Sequence, residues 1–243
     1  MIPIDNNVPE STIEIGRLLL ENGAEVNRVE DTIARICRAY GVKADVFALP
    51  NFIAVTYEST TLTARVRHSR INLSMIERIN NLSRHICKTT PSDSEIRKEL
   101  SHLPHSQSPF RLPLAYICAC AALTANYGGD LRDIFTASLI SLIIMLIKEH
   151  SASNRIVKDL LMSFSVGAAQ YIASLFIPHL SAENIISACV ILMIPGFSFT
   201  TSIKDMLYGD TIAGILRFCE AFLSSIAIAS GIAMSEFICS YFL

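Results

Sequence analysis

The chain's most chemically suggestive stretch runs from Ile194 to Glu220. It places Pro195-Gly196 inside an otherwise apolar run, follows with Ser198, Thr201, Ser202 and Asp205, and then reaches Arg217 and Glu220. Proline lacks an N–H, and its ring clashes with the carbonyl four residues back, here Ile191, so a helix through this run must kink or break. In an apolar surrounding, backbone freed by a break is tolerated only against protein or a water-filled cavity. Interrupted helices of that kind make room for a small polar solute; a plain proline kink is the other reading. Gly196 removes a side chain at the same point and permits close approach.

Ser198, Thr201, Ser202 and Asp205 fall at i, i+3, i+4 and i+7, one helical face. They line either a polar path or a helix end that meets lipid headgroups, with Lys204 beside Asp205. Further on, Arg217, Glu220, Ser224, Ala227, Gly231 and Ser235 form a stripe at alternating steps of three and four. Arg217 and Glu220 can pair along one helix. A buried Glu220 would be a candidate proton carrier; otherwise the two residues hold an interfacial loop. The small residues beyond permit close helix packing. Gln170 is the one amide of the run 160–182, on a face with Ser163, Gly167 and Ser174. A buried amide needs a partner, either a neighbouring helix or a polar solute.

Other chemistries lack their residues. There is no GxxxxGK[ST], GxGxxG, GxSxG or HExxH pattern, so nothing points to a nucleotide-driven pump or a hydrolase. His102 and His105 form an HxxH with no further ligand nearby, and neither a metal nor a cofactor is expected. The seven cysteines are odd in number and make no CxxC. Cys118 and Cys120 would sit about 200° apart on a helix and cannot share an ion. Free thiols are the expectation. A net charge of −2 with no basic patch argues against nucleic acid.

The elements that must carry these residues divide in two. Residues 1–111 hold 14 Lys/Arg and 13 Asp/Glu, whereas residues 112–243 hold 6 and 9. The first part has the composition of a soluble domain. Ser11-x-x-Glu14 is a capping-box pattern that opens a helix ended by Asn22-Gly23. A second helix fits 25–40, with Val26, Val29, Ile33, Ile36 and Cys37 on one face. Three short alternating segments, 46–49, 52–57 and 62–67, predict a small antiparallel sheet. Helices follow near 72–88 and 92–101, the second opened by Ser92-x-x-Glu95. The reading is a domain over 1–104 and a proline-bearing linker over 105–111.

The second part reads as membrane helices over 112–129, 131–148, 160–181, 184–203 and 213–240, since about 20 apolar residues cross a bilayer core. Lys148, Arg155, Lys158, Lys204 and Arg217 sit at one set of ends and only Arg132 at the other. The positive-inside rule therefore puts the N-terminal domain in the cytoplasm and the C-terminus outside. No signal peptide is visible in the first thirty residues. The expected fold is a membrane α-helical bundle of five transmembrane helices with an N-terminal α+β cytoplasmic domain.

Two stretches, Glu21–Val42 (ENGAEVNRVEDTIARICRAYGV) and Ile194–Gly214 (IPGFSFTTSIKDMLYGDTIAG, running on to Arg217 and Glu220), together with this order of parts, resemble the bacterial threonine/serine exporter family. The resemblance spans nearly the whole chain. It implies efflux driven by the proton-motive force across the bacterial inner membrane. The family contains long fused chains and split pairs, and a chain of this size resembles the larger half of a split pair that works with a smaller membrane subunit. One split branch is associated with succinate, so the implied substrates are threonine/serine or a C4-dicarboxylate. Gly23, Glu25, Arg28 and Glu30 carry the resemblance in the first domain, where fold and subunit docking are their expected roles. The rival reading is a membrane-anchored sensor or assembly module whose soluble domain binds a ligand.

Overall fold

The computed structural model describes residues 8–57, 60–66, 71–103, 111–150 and 154–242. It divides into two compact units: Met1–His105 with Phe199–Phe218, and Ser106–Ser198 with Cys219–Leu243. Residues 199–218 thus group with the N-terminal part rather than with the apolar helices.

The first unit begins with α1 (Val8–Glu21) and α2 (Val26–Ala39). Ser11 was expected to start α1 but lies inside it, buried, because the helix already runs through Pro9. Proline is welcome in a first turn, where its missing N–H would go unpaired anyway. At the other end Gly23 takes φ +83, the left-handed conformation that suits glycine. The Gly23 N–H then reaches Leu20 O and the Ala24 N–H reaches Leu19 O, which closes the helix with a Schellman turn. The apolar face of α2 is as expected: Val26, Val29, Ile33, Ile36 and Cys37 are all buried. Burial pushes the Cys37 thiol up to about 11.

Strands β1 (Ala44–Leu49), β2 (Phe52–Tyr57) and β3 (Thr60–Arg65) form one antiparallel sheet in that order, with Val46 opposite Val55 and Val55 opposite Leu62. Ala48, Ile53 and Val55 turn inward against α1 and α2, while Phe47 faces out. Helices α3 (Leu73–Thr89) and α4 (Asp93–Ser101) complete the core with Ile79, Ile86 and Ile96. The second capping box forms. Glu95 accepts from the Ser92 N–H at 2.9 Å and from its hydroxyl at 3.0 Å, and these bonds hold its carboxyl below the usual range. His102 is exposed and caps α4, while His105 lies outside the described residues. Among the described residues no cluster could hold a metal ion.

In the second unit, α5 (Arg111–Asn126) packs on α6 (Leu131–His150) and α8 (Ala182–Met193), and α6 and α8 both pack on α7 (Arg155–Phe176). Cys120, Ala137, Ile144, Val166, Ile185 and Cys189 fill the centre. Cys120 and Cys189 are free thiols 3.7 Å apart. Large apolar side chains cover the outside, among them Leu131, Phe135, Leu139 and Leu146 on α6 and Phe222, Leu223, Ile226 and Phe237 on α10 (Thr211–Phe242). Such a surface suits acyl chains rather than water.

Among the described residues two helices, α7 and α10, are long and apolar enough to cross a membrane, which makes two candidate spans, or three if α8 and α9 (Gly196–Leu207) count as one broken span. Five crossings are not established. Helix α5 has 16 residues, and α6 carries Arg132, Asp133, Lys148 and Glu149 within its 20. The expected span 184–203 is two helices. Ile194 adopts φ −56 and ψ 130, the extended conformation favoured before proline. The Gly196 N–H turns back to Ile194 O at 2.8 Å, and the pair is bent by 46°.

Candidate functional site

The first unit gathers charged residues from both ends of the chain. The Gly23 turn presents the Ala24 carbonyl and makes Glu25 the N-cap of α2. Arg217, from the first turns of α10, donates from Nη2 to Ala24 O at 2.6 Å. Its Nη1 lies 3.4 Å from Asp205 Oδ2, and the two side chains are 11% and 2% exposed. The Val26 amide, first in α2, interacts with the same carboxylate. Beside it, Lys204 Nζ donates to Glu25 Oε1 at 3.0 Å and lies over the Tyr208 ring. The Lys204 side chain is 44% exposed, so this pair is weak and readily exchanged, whereas the Arg217 pair is fixed by burial.

The helix hairpin α9–α10 delivers these groups. Gly209, at φ +99, ends α9 with bonds from the Gly209 N–H to Met206 O and from the Asp210 N–H to Asp205 O. Gly214 then lets the two helices touch, since a Cβ there would come 2.7 Å from Ser202 O and 3.0 Å from Met206 N. Thr201, Ser202 and Asp205 are buried and Ser198 is half-buried, so the polar face read from the sequence is real. In α2, Glu30 accepts from the Ala48 N–H at 2.7 Å. Burial holds its carboxyl above the usual carboxylate range, opposed by that N–H and reinforced by Asp210 and Asp45. Arg28 is exposed.

The second unit holds the break itself. Pro195 is buried, while a Cβ on Gly196 would meet nothing within 4 Å, so no close approach depends on that glycine. Arg155, at the start of α7, donates to Ser198 Oγ at 3.5 Å. One turn later Asp159 is buried and accepts from the Ser224 hydroxyl of α10. The expected small-residue stripe forms the α7–α10 seam. Cβ atoms added at Gly167 and Gly231 would strike Ser235 and Ser163, and the latter would also lie 2.6 Å from Leu160 O. Gln170 is buried on the same face of α7, but Ser174 is exposed.

The i, i+3 spacing allows Arg217 and Glu220 to pair along α10. Arg217 instead turns to Asp205 and Ala24, and Glu220 is exposed on this chain. Asp159 lies just outside the apolar run 160–182, so that run does not mark it. Stepping back four residues along the face Gln170, Gly167, Ser163 reaches it.

The two stretches singled out in the sequence therefore meet: Glu25 from one pairs directly with Lys204 from the other, and Arg217 links Ala24 to Asp205. A family described as "Putative threonine/serine exporter" matches residues 10–238. The chain belongs to that family. It is a membrane transport protein of the exporter type, not an enzyme. Among curated proteins it is similar to the "Probable succinate transporter subunit YjjP" of Escherichia coli K12, with 25% identity over 236 residues, 92% of this chain and 91% of that protein. The protein of the same name in Klebsiella aerogenes is also 25% identical, over 92% of this chain and 90% of its own length. No solved structure matches.

Proposed function

We propose that this chain is the larger subunit of a two-chain secondary exporter, which moves threonine/serine or a C4-dicarboxylate such as succinate out across the bacterial inner membrane. A smaller multi-span membrane subunit completes it. The observation that carries this reading is an apolar helix pair interrupted at Ile194-Pro195 and followed at once by the buried polar face Thr201, Ser202 and Asp205. A helix that only anchors a domain has no use for either feature, whereas a solute path needs both.

Two kinds of relative support different substrates: the family description names threonine and serine, and the curated relatives are named for succinate. A carboxylate is common to all three solutes. Arg155 donates to Ser198, and separately Arg217 pairs with Asp205 while Lys204, next in the chain to Asp205, pairs with Glu25. In this reading residues 1–104 lie in the cytoplasm, α5 and α6 also cross the bilayer, and the C-terminus faces out. The word "subunit" in the relatives' names supports the partner.

The test is metabolite release. Cells lacking the chain should retain threonine/serine or succinate, and co-expression with the short membrane subunit should restore release. Unchanged release of all three solutes would sink the exporter reading, and full restoration by this chain alone would sink the two-chain part.

A further inference from the structure

We infer that Asp159 is the carboxylate through which this exporter takes up and gives up a proton as it works, with Ser224 as its partner on the facing helix. The inference rests on the exporter reading above and adds the residue that couples it.

Asp159 is the fifth residue of α7, about 6 Å from the helix start at 1.5 Å per residue, so water at that end is close. The residue is nevertheless only 8% exposed. Its Oδ2 accepts from the Ser224 hydroxyl of α10, a neutral group. The charged side chains around it are Arg155 and Lys158 on α7 and Lys148 from α6. Among the described residues none makes an ion pair with it, and Arg155 reaches Ser198 instead. From α8 the ionisable residues are Glu183, exposed, and Cys189, a buried thiol; on α10, Glu220 lies one turn before Ser224 and is exposed. A carboxylate locked to a guanidinium has one useful state. A buried one held by a hydroxyl has two, and ionisable residues in membrane helices mark such relays.

The proton balance closes without a co-reactant. In the charged state the Ser224 O–H donates to Oδ2. When a proton from water adds to the carboxylate, the serine accepts from the new O–H or turns its own hydrogen to the carbonyl four residues back. The neighbouring Ser225 already makes that bond, to Ala221 O at 3.1 Å. Loss of the proton to water restores the first state. The seam beside this pair is tight: Leu160 O and Ser163 stand against Gly231, and Gly167 stands against Ser235. Packed interfaces of this kind are bistable rather than compliant, so a change of charge at residue 159 biases whether α7 and α10 stay closed.

The test uses everted membrane vesicles from cells expressing this chain with the short subunit, probed with labelled succinate and labelled threonine. Wild-type vesicles should accumulate one probe under an imposed pH gradient. Asp159→Asn should lose gradient-driven accumulation yet keep exchange of labelled for unlabelled solute, and Asp159→Glu should regain accumulation. Ser224→Ala keeps the seam small but removes the donor to the charged form, so the half-maximal pH of transport should rise by about one unit. Gradient-driven accumulation in Asp159→Asn overturns the inference. So does an unchanged pH profile in Ser224→Ala, which decides the matter if the asparagine variant fails to insert. Wild-type vesicles that move neither probe overturn the exporter reading itself.

Discussion

Arg217 serves two acceptors in the first unit, and its removal tests whether that cluster holds the α9–α10 hairpin against α2. Arg217→Ala takes the donor from Ala24 O, now at 2.6 Å, and leaves the Asp205 carboxylate, 2% exposed, without its cation. Breaking one side of a buried pair costs about 3–5 kcal/mol, because the other charge stays buried. The 3.4 Å separation places this pair at the lower end. At about 2–4 °C per kcal/mol for a chain of this size, the Tm of the detergent-solubilised protein should fall by roughly 6–12 °C. Arg217→Lys should fall between, since one ammonium cannot reach both acceptors as a guanidinium fork does. The decisive arm is the double variant. Adding Asp205→Asn to Arg217→Ala removes the charge that lost its partner, so the double variant should recover about 1 kcal/mol relative to Arg217→Ala alone. Losses that simply add, within about 0.5 kcal/mol, would refute the coupling between these two residues.

Gly214→Val should destabilise the same hairpin by about 1–3 kcal/mol, because its Cβ meets the Met206 side chain and also the Ser202 and Met206 backbone, which cannot swing away; an unshifted melting curve would contradict the close crossing. Pro195→Ala should leave membrane insertion intact and cut export, since the helix could then run on; unchanged export would count against a solute site at the break. Glu30 has a folded-state carboxyl raised by burial, so its contribution to stability is fully present below its unfolded value and is lost as pH rises through the folded one. Glu30→Gln, which can still accept from the Ala48 N–H, should therefore flatten the Tm profile as pH rises above the ordinary carboxylate range. An unchanged slope would show that Glu30 ionises as freely in the fold as outside it.

Much of this architecture was legible because it rests on local rules. The face of α2 follows from five apolar residues at helical spacing, the sheet from alternation between turn residues, and the break in the 184–203 run from one proline. The α10 stripe was legible in part: Ser224, Ala227, Gly231 and Ser235 are buried as their spacing implies, while Glu220, at the same phase, is exposed. A stripe at mixed three- and four-residue steps says which residues share a side, not what lies opposite. For the same reason the partner of Arg217 was out of reach, since Asp205 and Ala24 are 12 and 193 residues away and only the tertiary fold brings them to it. Asp159 is hidden from the apolar pattern because a charge there marks the edge of a span, whereas it lies within α7 and faces Ser224.

Because Arg217 grips a main-chain oxygen at residue 24, the first stretch has little chemistry to preserve there. Every amino acid offers that atom. Position 24 needs only to be small enough for its buried slot, Ala24 being 6% exposed, and to sit just past a residue that tolerates the left-handed turn. Positions 205 and 217 have no such latitude. Drift in this protein's lineage should therefore be loose at 24 and paired at 205 and 217, so that a loss of one charge is answered by a loss of the other.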